Sequence, residues 1–203
     1  FMHRRDNASH KQVLADVGAW LKKTRHIEML GPLGFDNAYA LVMRRDQAER
    51  LHIRSIADLV PYAAKLSIAG DYEFFARPEW KAMRAAYDIN FRRTREMQST
   101  FMYKAVADGE IDVIAGYTSD GQIAQYDLVV LDDPKQALPP YDAVLLISPR
   151  RADDAKFRHA LTPLIGHIST KMMQEANLAV SRDRNQETPE QAARELWQKI
   201  DVK

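Results

Sequence analysis

Two tyrosines, Tyr117 and Tyr141, are the residues whose type and position best suit a binding chemistry. Each follows an apolar run and stands beside turn residues, the first within residues 115–123 and the second within residues 138–143. Tyrosines in such places present their rings to a cleft. Electron-rich rings gathered around one cavity suit a cation that cannot be hydrogen-bonded, such as a quaternary ammonium group. The alternative without ligand binding is that each tyrosine ends its strand with its hydroxyl in water.

The sequence contains no pattern for catalysis or for metal binding. Cysteine is absent, which excludes disulfides, thiol catalysis and cysteine-ligated zinc. The six histidines show no i, i+4 pairing, and there is no Gly-rich phosphate loop, Gly-x-Ser-x-Gly elbow or zinc signature. The carboxylate pairs at 132–133 and 153–154 are interpreted as loop and helix-start charges. We therefore expect no enzyme, no cofactor and no metal.

Length and charge narrow the class of protein further. The 203 residues allow one large domain or two small lobes, and the 46% of hydrophobic residues can form a packed core. The net charge of +1, from 29 basic and 28 acidic side chains, argues against a nucleic-acid binder. No apolar run approaches the roughly 20 residues that span a bilayer.

Alternating apolar and amphipathic stretches predict the elements that must position the tyrosines. The predicted strands are 26–30, 39–43, 66–70, 111–115, 128–131 and 144–147, with 90–96 extended and polar. The predicted helices are 8–24, 44–51, one begun by Ser55, one begun by Pro78, 100–108, 151–164, 168–178 and 189–200. This alternation predicts an α/β fold with largely parallel sheets. Ser99 or Thr100 is expected to cap the helix at 100–108.

Two turn-rich points, at 31–37 and 139–140, are where the chain could cross between lobes. Residues 1–39 and 140–203 would then form a first lobe, and residues 40–139 a second. Two crossings are what a hinged, ligand-closing architecture needs.

Nine segments, in order along the chain, resemble the substrate-binding proteins of glycine betaine/carnitine/choline ABC importers. One reads Gly-Asp-Tyr-Glu-Phe-Phe-Ala-Arg-Pro-Glu-Trp and ends at Trp80. All nine are 34–41, 56–59, 70–80, 100–109, 112–114, 117–123, 126–128, 131–134 and 139–141. Each segment is weak alone, but nine in the right order make chance similarity a poor explanation.

The resemblance implies a two-lobed periplasmic-binding-protein fold of type II, with an interlobe box of aromatic rings for the trimethylammonium head. Carried over to this sequence, the box would use Tyr39, Tyr117 and Tyr141. Arg77 would hold a ligand carboxylate, as a guanidinium can do in bidentate fashion. Thr118 and Ser119 are further candidates for ligand contact.

These candidates have structural alternatives. Tyr39 could serve a hinge or the core. Arg77 could be a surface arginine lying over Trp80. The segment 118–121 would ordinarily cap the following helix, with Ser119 or Asp120 accepting backbone N–H bonds.

The resemblance also implies partners and a location. The protein would deliver a compatible solute such as glycine betaine or choline to an ABC permease, at the periplasmic or outer face of the cytoplasmic membrane, with a role in osmoprotection. The strand–helix unit that begins the first lobe in the family has no counterpart after Phe1, so we expect an unpaired sheet edge and a dimer or exchange of elements. The competing hypothesis is a ligand-sensing domain of a transcription regulator with the same fold.

Overall fold

A computed structural model describes residues 9–182 and 184–200 of the chain. Its helices are α1 (His10–Arg25), α2 (Arg45–Leu51), α3 (Ile56–Ala63), α4 (Pro78–Tyr87), α5 (Ser99–Ala107), α6 (Gln122–Gln125), α7 (Ala155–Leu161), α8 (Thr170–Ser181) and α9 (Pro189–Lys199). Its strands are β1 (Glu28–Asp36), β2 (Tyr39–Arg44), β3 (Ser67–Gly70), β4 (Arg93–Glu96), β5 (Val113–Tyr117), β6 (Leu128–Val130) and β7 (Asp142–Ile147). Short 3-10 turns occupy Phe74–Ala76, Pro149–Arg151 and Thr162–Leu164.

The described residues divide into two compact units. One contains residues 9–35, 142–168 and 200, and the other contains 36–141, 169–182 and 184–199. The predicted lobes placed all of 140–203 with the start of the chain, whereas this division groups α8 and α9 with the central segment. The reason is direct bonding, because side chains of α8 donate to the backbone at Thr118 and Ser119.

The first unit is built on a two-stranded sheet of β1 and β7. The Ser9 hydroxyl accepts a hydrogen bond from the Gln12 N–H and caps α1. Glu28 on β1 forms an ion pair with Arg158 on α7. The prediction of a first strand over 26–30 is wrong in its bounds, because β1 begins at Glu28 and continues to Asp36. Proline within it is tolerated because, among the described residues, this strand pairs only with β7.

The second unit contains a five-stranded sheet in the order β4-β3-β5-β2-β6. Strand β3 pairs in parallel with β4 and β5, while β2 pairs antiparallel with β5 and β6. The α/β class is confirmed, but the expectation of a largely parallel sheet is wrong for two of these four pairings. The alternation of strands and helices in the sequence does not fix the direction in which β2 enters the sheet.

Strands β2, β3 and β5 are buried almost throughout, which explains their continuous apolar runs. Alternate residues of β2 face two separate cores. Tyr39, Leu41 and Met43 pack with residues of α3 and α4, while Ala40 and Val42 pack with residues of α5. Strand β4, at one edge, is exposed and charged, which suits an unpaired edge.

Two of the predicted helix starts are confirmed and two are wrong. Ser55 and Asp58 form a reciprocal capping box on α3, and Pro78 is the first residue of α4. Ser99 does not cap α5, because it is itself helical and follows Gln98, which makes no side-chain cap bond. The helix α6 begins after Gly121, again without a side-chain cap.

Candidate functional site

Strands β2 and β5 place two of the predicted tyrosines side by side. Tyr39 and Tyr117 are register partners across the antiparallel pair. Their ring centroids lie 4.6 Å apart at an interplanar angle of 31°, and the Tyr117 hydroxyl donates to the Tyr39 hydroxyl over 2.8 Å. Directly opposite positions bring side chains within such reach. Tyr39 is only 6% exposed and also packs against Phe74, with 5.0 Å between ring centroids.

Asp71, in the loop after β3, accepts hydrogen bonds from the hydroxyls of this tyrosine pair. One carboxylate oxygen lies 3.2 Å from the Tyr39 hydroxyl and 3.3 Å from the Tyr117 hydroxyl. The other oxygen accepts the backbone N–H groups of Glu73 and Phe74, each over 2.9 Å. Burial, the bond to Tyr117 and the nearby Asp71 charge raise the pKa of Tyr39 far above its usual value. Burial likewise raises the pKa of Tyr117, so both phenols stay protonated at neutral pH.

Arg77 lies beside this pair and is already engaged by a carboxylate. Its guanidinium carbon is 5.4 Å from the centroid of the Tyr39 ring, a cation–π geometry. Its Nε and Nη2 donate to the two carboxylate oxygens of Glu79 over 3.3 and 3.0 Å. A second carboxylate, that of Glu73, is 3.5 Å from Nη1. The alternative that Arg77 lies over Trp80 is not what the structure has, because Arg84 takes that place at 5.7 Å.

Tyr141 joins the group through the same glutamate. Its hydroxyl donates to Glu79 over 2.6 Å and accepts a long bond of 3.5 Å from Arg77. The side chain of Tyr141 is 42% exposed, whereas Glu79 is only 7% exposed. The bonds from Arg77, and more weakly from Tyr141, lower the pKa of Glu79 to about 2 against the opposing effect of burial. The structure therefore brings Tyr39, Tyr117, Tyr141 and Arg77 into one connected group.

Thr118 and Ser119 bond to the chain just before β2. The Thr118 hydroxyl accepts from the Ala38 N–H over 3.1 Å, and it lies within donating distance of the Asp36 Oδ1, at 2.9 Å, and of the Asp36 backbone oxygen, at 3.0 Å. The Ser119 hydroxyl donates to the Asn37 side-chain oxygen over 2.6 Å. Both hydroxyls thus join the two segments that carry Tyr39 and Tyr117, and ligand contact by either remains a prediction.

The expectation that Ser119 or Asp120 caps α6 is wrong. The Asp120 carboxylate instead accepts the Tyr117 N–H over 3.1 Å and the Tyr103 hydroxyl over 2.6 Å. Burial raises the pKa of Asp120 against these hydrogen bonds. Asp120 therefore fixes the end of β5, where Tyr117 leaves the sheet.

Helix α8 supports the same turn from outside. The side-chain amides of Gln174 and Asn177 donate to the backbone oxygens of Thr118 and Ser119 over 2.7 and 2.9 Å. A Cβ added to Gly121 would lie 2.5 Å from the backbone nitrogen of Leu178. Only glycine allows this close approach of α6 to α8.

The residues that sequence reasoning missed are the carboxylates at the phenol ends. These are Asp71 and Glu79, which no sequence pattern assigns to the tyrosine hydroxyls. Their signal was the short acidic loop between β3 and Pro78, within the segment 70–80. Across the described residues, no group of three or more histidine or acidic side chains is arranged to hold a metal ion. In the same part of the chain, no helix is both long and apolar enough for a bilayer.

Known proteins are similar to this chain in sequence and in fold. Residues 11–199 match the family described as the substrate binding domain of ABC-type glycine betaine transport systems. The carnitine transport binding protein OpuCC of Listeria monocytogenes is 31% identical over 196 residues, covering 93% of this chain and 62% of that protein. The ergothioneine transport permease/ergothioneine binding protein EgtU of Helicobacter pylori is 30% identical over 163 residues, covering 78% of this chain and 29% of that protein.

A crystal structure of a glycine betaine/carnitine/choline ABC transporter superimposes with a TM-score of 0.86 at 28% identity, covering 94% of this chain and 70% of that one. The fold is that of type II periplasmic-binding proteins. The chain spans less than two thirds of the length of the curated relatives described above. The relatives are binding proteins of transporters and not enzymes. The chain belongs to the family of substrate-binding domains of ABC-type glycine betaine transport systems.

Proposed function

We propose that this chain binds a quaternary ammonium compatible solute, such as glycine betaine or choline, at Tyr39, Tyr117 and Tyr141 and delivers it to an ABC permease. The observation that supports this most is the connected group of these three tyrosines with Arg77. A methylated onium head has no N–H to donate, so ring faces are the groups that can replace its water.

The Tyr39 ring is already the partner of a cation. The Arg77 guanidinium lies over it at 5.4 Å, which is within the range of cation–π attraction. An onium head that contacts this ring face would compete with Arg77, and a displaced Arg77 would be available to a ligand carboxylate. Each ring contact is worth about 0.5–2 kcal/mol when desolvated.

Thr118 and Ser119 are proposed to act chiefly on the shape of the site. Their hydroxyl bonds to Asp36 and Asn37 tie the turn after β5 to the residues just before β2, beside the tyrosine pair. Direct contact of either hydroxyl with ligand is the secondary proposal.

The permease partner and the periplasmic location are extended from the family to this chain. Both curated relatives named above are transport proteins, and one name joins permease and binding protein. An osmoprotective role is part of the same proposal. The lobe bounds stay a prediction, with residues 1–39 and 140–203 in one lobe and 40–139 in the other. Formation of a dimer or exchange of elements also stays a prediction.

Calorimetric titration of the full-length protein with glycine betaine, choline and carnitine tests the proposal. We expect saturable binding of at least one of them, and about two- to thirty-fold weaker binding in a Tyr141→Ala variant that loses one ring. Phe101→Ala, which removes a ring that is 62% exposed on α5, is the matched control. Absence of binding by all three compounds to the folded protein would reject the function.

A further inference from the structure

All three tyrosine hydroxyls of the site end on carboxylates. Tyr117 donates to Tyr39, Tyr39 donates to Asp71, and Tyr141 donates to Glu79. The phenol hydroxyls are therefore bound to the protein, so an onium head would have to contact these tyrosines through their rings and not through their hydroxyls.

Backbone hydrogen bonds hold the Asp71 carboxylate in its position against the tyrosine hydroxyls. Its second oxygen accepts two backbone N–H groups of its own loop, so the carboxylate cannot turn away from the phenols without breaking them. A hydrogen bond from a phenol to an anion adds electron density to the ring. It therefore strengthens the attraction of the ring for a cation.

The charges around the tyrosines are unequal. Glu79 and Glu73 both lie within ion-pair distance of Arg77, at 3.0 and 3.5 Å. In the part of the chain that the structure describes, no lysine or arginine forms an ion pair with Asp71. Two carboxylates thus compensate the Arg77 guanidinium, and the Asp71 carboxylate is bonded to the tyrosine hydroxyls and to backbone N–H groups.

We propose that Asp71 is a positioning and specificity-determining residue. It aligns Tyr39 and Tyr117 through their hydroxyls, and its charge makes the site prefer onium ligands of net positive charge, such as choline, over zwitterions with the same head, such as glycine betaine and carnitine. The inference rests on the proposed function and narrows its ligand class.

The physical reason is the different effect of one negative charge on the two ligand classes. A ligand that is only a cation gains from the Asp71 charge. A zwitterion brings its own carboxylate close to Asp71, and it needs Arg77 to leave Glu79 before that carboxylate is paired. Exchange of Asp71 for Asn removes the negative charge while keeping the size of the side chain and an acceptor oxygen.

The test measures dissociation constants of choline and glycine betaine for the full-length protein and for Asp71→Asn. We expect the wild-type protein to bind choline about tenfold more tightly, and Asp71→Asn to bring the two constants to within about twofold. Glu110→Gln, an exposed change of the same charge on the same unit, should leave the ratio unchanged.

A second pair of variants separates alignment from charge. In a Tyr39→Phe background the hydroxyl that donates to Asp71 is gone, so Asp71→Asn should weaken choline binding less than it does in the wild-type background. An equal effect in both backgrounds would overturn the positioning role.

Two results would overturn the specificity role while the proposed function stands. The first is a wild-type protein that binds the zwitterions as tightly as choline. The second is a ratio of the choline and glycine betaine dissociation constants that is the same in Asp71→Asn as in the wild-type protein. The wild-type order needs no variant, so it decides the matter even if Asp71→Asn does not fold. Failure of all onium ligands to bind would instead reject the proposed function itself.

Discussion

The ring of Tyr117 and its hydroxyl have separate tasks. The hydroxyl donates to Tyr39, and the backbone N–H is bonded to Asp120. Tyr117→Ala should therefore weaken onium binding by about two- to thirty-fold, whereas Tyr117→Phe, which keeps the ring, should weaken it much less. Calorimetric titration of both variants measures the difference. Equal losses in the two variants would mean that the hydroxyl, and not the ring face, binds the ligand.

Glu79 gives the protein a specific sensitivity to acid. Its pKa of about 2 lies below the usual 4.5, so the stabilisation from its charged form is complete above about pH 4.5 and is lost as the pH falls towards 2. The wild-type protein should exceed Glu79→Gln in free energy of unfolding by about 2–3 kcal/mol at pH 7, and this excess should shrink between pH 4.5 and 2.5.

Urea unfolding of the two proteins at several pH values measures this excess. Glu96→Gln, on the exposed strand β4, serves as the control for loss of one glutamate. An excess that is independent of pH would show that the ion pair with Arg77 does not hold the Glu79 charge.

Among the site residues, the sequence predicts those that lie in recognisable segments and does not predict those whose contacts depend on the tertiary fold. Tyr39, Tyr117, Tyr141 and Arg77 could be found from the order of short segments, and the structure joins them. Asp71 and Glu79 could not be assigned to the phenols, because those contacts depend on how β2 and β5 pair and where the loop after β3 ends. A carboxylate in a loop looks the same in sequence whether it faces water or a hydroxyl.

At the level of elements, burial decided which predictions held. Strands β2, β3 and β5 are continuous apolar runs and could be located within two residues, because fully buried strands need apolar residues on both faces. The strand predicted at 26–30 is too short, because Gly31 and Pro32 are turn formers in most settings but are accommodated in β1. The direction of β2 has no local signal at all.

The packing of α8 against the turn 117–121 supports the site from outside the sheet. A Cβ on Gly121 would meet backbone atoms of Leu178, which cannot move aside as a flexible side chain can. Gly121→Ala should therefore lower the free energy of unfolding by about 1–3 kcal/mol and weaken ligand binding, because α8 also holds the backbone of Thr118 and Ser119.

Chemical denaturation and ligand titration of Gly121→Ala measure both effects. Gly18→Ala in α1 is the matched control, since its Cβ would find only the Met29 side chain at 3.7 Å. That variant should be unchanged or more stable by up to about 1 kcal/mol, because alanine favours a helix interior. Destabilisation of both variants by the same amount would contradict the role given to α8.

At the level of the whole molecule, each unit is assembled from distant parts of the chain. The unit that holds the tyrosine group contains residues 36–141 and returns to include 169–182 and 184–199. Turn-rich points in the sequence mark where a chain can change direction, but not which helices pack together afterwards. The contribution of α8 and α9 to this unit therefore had to come from the structure, since it depends on contacts such as Gln174 with Thr118.

Binding should be visible in the stability of the whole protein. A ligand that binds only the folded state at about 100 times its dissociation constant adds about 2.7 kcal/mol to the free energy of unfolding. For a chain of 203 residues this corresponds to a rise in melting temperature of about 5–10 °C. Ammonium chloride at the same concentration should give no such rise, because water solvates its N–H groups and the rings have no advantage.

The same thermal measurement on Tyr117→Ala, with choline as the ligand at the concentration used for the wild-type protein, tests whether the tyrosine causes the rise. A tenfold weaker affinity leaves about 1.4 kcal/mol of stabilisation, so the rise in melting temperature should be halved. Thermal unfolding followed by circular dichroism measures all three cases. A rise that is equal for choline and ammonium, or equal in wild-type protein and Tyr117→Ala, would mean that ionic strength or another surface causes it, and the onium site would then have to lie away from these tyrosines.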